Sequence, residues 1–148
     1  MCLAALAGSA QAQRLPVREA SVGGIAVTAR RDFWGLALGA AHRPGGQARL
    51  ALAVAAGASG PGGGLATRLE ATAQFLVSPA ARAGANVYGG VGVAFVGARA
   101  ARGAGYLTVL VGLESAAGRA RGWYVELGLG GGVRAVAGRR WRRFPAWW

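Results

Sequence analysis

Hydrophobic and polar residues alternate along most of this chain. In residues 67–79, one set of alternate positions reads Arg68, Glu70, Thr72 and Gln74, and the set between reads Leu69, Ala71, Ala73, Phe75 and Val77. A period of two puts such sets on opposite faces of a β-strand. The same period recurs in 33–43, 47–57, 86–98, 105–115 and 122–136. In 105–115, Leu107, Val109, Val111 and Leu113 oppose Tyr106, Thr108, Gly112 and Glu114, with Leu110 out of pattern. Breakers rich in Gly, Pro and small residues separate the runs: "RPGG", "GASGPGGG", "SPAARAGAN", "ARAARGAG" and "SAAGRARG". Such punctuation marks short turns between consecutive strands. One more strand is predicted over 21–29, and the last run, 122–143, supplies an eighth if it bends at "GLGGG". The opening stretch also fits a helix, with Leu65, Leu69, Ala73 and Leu76 on one face. Its neighbours "VYGGVGVAFVG" and "GYLTVLVG" do not fit one, and strands of that kind need partners on both sides. The pattern predicts an all-β fold: an antiparallel up-and-down barrel of about eight strands.

Which face lies inside is the next question. The polar face is mostly Gly and Ala with a few charges, a poor surface for water but suited to a narrow lumen. The apolar face is Leu, Val, Phe and Trp, which suits lipid. The runs match the ~9–11 residues of a tilted transmembrane strand better than the ~5–6 of a soluble one. No apolar stretch approaches the ~20 residues of a membrane-spanning helix, so an integral protein of this sequence crosses as a closed transmembrane β-barrel. Trp34, Trp123, Trp141, Trp147 and Trp148 fall near strand ends or the terminus, the place of Trp at bilayer interfaces. On this reading the inner face carries Arg49, Arg68, Glu70, Glu114, Glu126 and Arg134. Isolated charges in a narrow barrel are costly, so these six are expected to pair as a lumen network. The functional alternative is a path for a solute or protons.

Composition agrees. The 148 residues are 53% hydrophobic and 15% charged, against roughly 25% charged in soluble domains. The 17 basic residues are all Arg and the acidic ones number 5, for a net charge of +12. The loop residues Arg82, Arg99, Arg102, Arg119 and Arg121 and the cluster Arg139, Arg140, Arg142 and Arg143 have three readings. They grip lipid phosphates, form a solubilising tail, or contact nucleic acid. A single cysteine, Cys2, excludes an internal disulfide, and a single His42 excludes a multi-His zinc site. Glu114 and Glu126 come without a nucleophile or a metal set, and "LGLGGG" is no phosphate loop because no helix follows it. No enzyme activity, cofactor or metal is inferred. "MCLAALAGSAQAQ" carries a small-x-small site at Ala10–Gln11–Ala12, so residues 1–12 are read as a signal peptide and 13–148 as the barrel domain with a basic, aromatic C-terminal end.

With its "AQA" export site, repeated alternation, Gly-rich turns and C-terminal aromatic Trp148, the chain resembles the small, eight-stranded outer-membrane β-barrels of Gram-negative-type bacteria. Its terminus "RRWRRFPAWW" departs from that family's pattern of alternating hydrophobics up to a final aromatic. Pro145 cannot donate to a strand ladder, so the last residues read as a tail. The resemblance implies location in the bacterial outer membrane and a structural or interaction role, or a very narrow pore. It implies as partners membrane lipid, including lipopolysaccharide phosphates, and the barrel-assembly machinery. The alternative is a soluble secreted β-barrel or sandwich that binds an apolar ligand, with the apolar face turned inward.

Overall fold

The computed structural model describes residues 16–99 and 101–148. The signal-peptide reading of residues 1–12 therefore lies outside the described residues. Eight strands follow in order: β1 (Val17–Thr28), β2 (Phe33–Gly45), β3 (Ala48–Ser59), β4 (Gly64–Leu76), β5 (Ala85–Ala98), β6 (Ala101–Ser115), β7 (Arg121–Leu129) and β8 (Val133–Arg143). Each pairs antiparallel with its neighbours in sequence, and β1 pairs with β8, so the sheet closes into a barrel. Closure gives every strand a partner on both sides and leaves no edge strand, the condition for placing a sheet in lipid.

The stretch 67–79, ambiguous between helix and strand, lies largely in β4. The last run does divide, at Gly130–Gly132, where Gly131 takes a φ of +80° that a side chain would strain. The strands extend further than the alternation alone marks. β1 begins at Val17 rather than 21, and β8 runs through Arg143. Pro145 lies beyond the last strand, and the segment from Phe144 to Trp148 forms a short tail.

Up-and-down topology sorts the connections between two ends. At the end holding the start of β1 and the tail lie the β2–β3 turn and the loops 77–84 and 116–120. At the remote end lie the connections 29–32, 60–63 and 130–132 and the turn at Arg99. The tail folds back over the first of these ends. Phe144 stacks on Trp148 at 5.6 Å, the Trp148 indole donates to the Gly118 carbonyl at 3.2 Å, and the Arg82 guanidinium lies 4.8 Å from the Trp148 ring centroid.

Alternation assigns the faces without a slip. Leu36, Leu52, Leu69, Val93, Leu107 and Leu127 are exposed, Leu107 at 82%, whereas Arg49, Arg68 and Glu114 are at most 1% exposed. The arrangement with the apolar face inward, on which the soluble ligand-binding alternative depends, is not the one found. Leu110 is the exception noted in the pattern, and it points inward, packing with Leu76 and Tyr88. A second apolar cluster inside the barrel, including Ile25, Val27, Phe33 and Val136, lies towards the remote end.

Candidate functional site: the charged lumen

Every inward position on these strands comes from alternate residues of a strand that also has to face outward. The sequence can therefore place a charge inside only by parity, and it does so on seven of the eight strands. Arg49 comes from β3, Arg68 and Glu70 from β4, Glu114 from β6, Glu126 from β7 and Arg134 from β8, and all six side chains are buried. They fall into two groups, which Arg140 links by reaching Glu126 at 3.6 Å as well as Glu114. Arg68, Glu70, Arg134 and Glu126 lie together, and Arg49 and Glu114 belong to a second group.

In the first group, Arg134 donates through Nε and Nη2 to both oxygens of Glu70, at 2.9 and 2.7 Å. This two-point geometry suits the planar guanidinium. Arg68 Nε donates to the same carboxylate at 2.6 Å, and its Nη2 donates to the Gly130 carbonyl at 2.8 Å. Arg134 Nη2 also lies 2.9 Å from Glu126. Two arginines thus meet two glutamates, and this group is neutral.

The second group is a knot of four arginines around two glutamates. Glu114 receives Arg140 at 2.6 Å, Arg49 at 2.7 Å, Arg142 at 2.8 Å and Arg43 at 3.6 Å. Glu19 faces the same four: Arg49 Nε at 2.9 Å, a close contact with Arg43, and Arg140 and Arg142 each at 3.6 Å. Gln74 accepts from Arg49 at 3.1 Å and passes a hydrogen bond to Thr72. Arg43 reaches out of the knot to the carbonyls of Pro79 and Ala117, and Arg142 to that of Arg119, so the knot is tied to the loops that close the tail end.

Tyr88 joins the two groups. Its hydroxyl donates to Glu126 at 2.8 Å, and its ring lies 5.0 Å from the Arg49 guanidinium and 5.5 Å from that of Arg140. Such contacts disperse positive charge onto the ring face. Gly112 makes room for that ring, since a Cβ there would come within 2.3 Å of it. A cavity of about 50 Å³ remains beside the groups. Ala37, Gly39 and Ala53 line one side of it, and Glu70, Thr72 and Glu126 the other.

Four members of the network escaped the sequence reading. Glu19 lies before the segment taken as the first strand, Arg43 sits in the "RPGG" breaker, and Arg140 and Arg142 were grouped with a basic tail or membrane-binding cluster. That grouping needs correction. Arg140 and Arg142 point into the lumen, and of that cluster only Arg139 and Arg143 point outward. Parity would have found Arg140 and Arg142, because both keep the phase of Arg134 on the same strand.

The described residues place no group of three or more His, Cys, Asp or Glu where a metal ion could be held. No family model matches the chain, and no curated protein matches it in sequence. Among solved structures, the fold is similar to that titled the N-terminal β-barrel domain of Pseudomonas aeruginosa OprF, with a TM-score of 0.63 and 15% sequence identity over 86% of this chain and 97% of that one. By fold, this chain is a closed, eight-stranded antiparallel β-barrel similar to that domain.

Proposed function

We propose that this protein is an integral barrel of the bacterial outer membrane with a structural or interaction role and no enzymatic activity. Its lumen is filled by ion pairs rather than open to solutes. The observation that carries this reading is the inversion of polarity. All four glutamates of the chain and six of its arginines are buried inside, while Leu, Val, Phe and Trp side chains stand exposed on the wall. Water would penalise that wall by roughly 25 cal/mol per Å² of apolar surface, and lipid would not. Eight strands enclose an interior that side chains just fill, which supports a plugged barrel. The cavity beside the network, about 50 Å³, has room for about three to five waters at ~10–15 Å³ each, so any pore is narrow.

Membrane lipid is the partner this reading requires. Towards the tail end, Arg18, Arg121, Arg139 and Arg143 point outward, and the register sets Arg121 against Trp141, Arg139 against Trp123 and Arg18 against Arg143. Cations beside indoles suit a bilayer interface, where phosphates, including those of lipopolysaccharide, are the available anions. An export signal and delivery by the barrel-assembly machinery belong to the same proposal.

The test is expression with fractionation. The protein should be found in outer-membrane fractions, require detergent for extraction, and migrate differently on a denaturing gel before and after boiling. Recovery as a soluble protein without detergent, with one migration position, would refute the reading.

A further inference from the structure

The two ends of the barrel differ. At the tail end the loops, the folded-back tail and the Arg43 contacts close the lumen. At the remote end the interior opens into a cup of about 640 Å³. Its walls are largely apolar, with Val27, Phe33, Val96, Ala98, Ala104 and Tyr106 contributing. Arg68, already held by Glu70 and Gly130, lies at its base. Arg31, Arg99 and Arg102 also line it, and all three are exposed.

No acidic residue lines this cup. The chain has five acidic residues; its four glutamates are committed to the lumen, and Asp32 accepts from the Ala29 amide in the β1–β2 loop. Asp32, next to Arg31, offsets part of the positive charge at the rim, and Arg31, Arg99 and Arg102 outnumber it. One side of the cup is low. The β6–β7 ladder stops at Val109 opposite Leu129, while β6 continues to Ala101. The Tyr106 ring covers that gap, lying within 2.8 Å of where a Cβ on Gly131 would be.

We infer that this cup binds an amphipathic anion, a small molecule with one anionic head and an apolar body. Charge complementarity assigns the head to Arg31, Arg99 and Arg102, and the apolar walls take the body. The volume falls within the ~300–1,000 Å³ of ordinary small-molecule sites. A neutral apolar molecule would leave the arginines without a counter-charge, and a hydrophilic anion would leave the walls uncovered. The inference rests on the proposed membrane role only in its test, which presents the barrel in lipid discs.

The experiment uses the full chain in nanodiscs of zwitterionic lipid, with octanoate as the probe, titrated calorimetrically against empty discs. Octanoate should bind saturably above the empty-disc background. Octylammonium and octanol should bind at least about tenfold more weakly. The triple variant Arg31→Gln, Arg99→Gln and Arg102→Gln should lose octanoate affinity by about tenfold or more, since charge-assisted contacts are the strong ones. Ala98→Trp, which fills the cup and leaves every arginine in place, should lose binding as well. Heat-modifiable migration of each variant establishes its folding separately. Absence of saturable binding in the wild type, equal binding of octylammonium, or unchanged affinity in either folded variant would overturn the inference. None of these results would bear on whether the barrel resides in a membrane.

Discussion

Glu114 shows how much one side chain can organise. Its carboxylate meets four guanidiniums within 3.6 Å in a fully buried setting. Removing the charge while keeping the shape leaves Arg43, Arg49 and Arg142 with Glu19 as their carboxylate, and Arg140 with Glu19 and Glu126. Breaking a buried ion pair in this way costs about 3–5 kcal/mol, because the remaining charges stay desolvated. Glu114→Gln should therefore lower the urea stability of the vesicle-folded barrel by that amount. Arg18→Gln, on the outer wall, should change it by no more than about 0.5 kcal/mol. A loss at Glu114 indistinguishable from that at Arg18 would show that the knot is not a stabilising unit. The glutamate was readable in the sequence as an inward charge needing a partner. Which arginines would meet it was not, since they come from β2, β3 and β8, up to 71 positions away along the chain.

At the scale of the strand, the proposed membrane location gives the two faces different solvents, and substitution should reveal it. On β3, Leu52 points outward and the neighbouring Ala53 lines the lumen cavity. An arginine on the lipid face near the bilayer midplane costs about 2–4 kcal/mol. Leu52→Arg is expected to reduce folding stability in vesicles within that range. In single-cysteine variants lacking Cys2, a lipid-phase probe should label Leu52→Cys, Leu127→Cys and Leu129→Cys and leave Ala53→Cys unlabelled. Equal labelling at positions 52 and 53 would contradict the assignment of faces. Alternation made this assignment legible, because a one-residue slip would turn a whole strand inside out. Strand ends were less legible. The breaker "RPGG" marks a real turn, yet β2 runs through its first three residues to Gly45, and a bulge between His42 and Gly45 absorbs the change.

For the whole molecule, the balance of charge is uneven. Six buried arginines against four buried glutamates leave two excess positive charges inside, all of them in the knot near the tail end. A plugged barrel carrying that excess should pass little current in a planar bilayer, and what passes should prefer anions, because a like-charged interior repels cations. Reversal potentials under a salt gradient measure the preference, and cation selectivity would contradict it. Ala53→Leu, which fills the lumen cavity, should reduce the residual current further. A current unaffected by that substitution would place the leak outside the cavity. Heat-modifiable migration, conductance and octanoate binding address separate properties of the barrel, namely its closure, its plug and its open end.

By itself the sequence determined the strands, their faces and the lipid-suited exterior, because period two is a local property that survives without knowledge of any partner. It also determined that charges on the small-residue face would need one another. Tertiary structure alone decided which charges those were. Barrel closure brings β8 against β1, and so carries Arg140 and Arg142 from an apparent tail into the same knot as Glu19. Only the closed shape, likewise, separates a plugged end from an open one. That difference arises because loops, tail and Arg43 meet over one end, and contacts between segments so far apart in sequence are encoded by no local pattern.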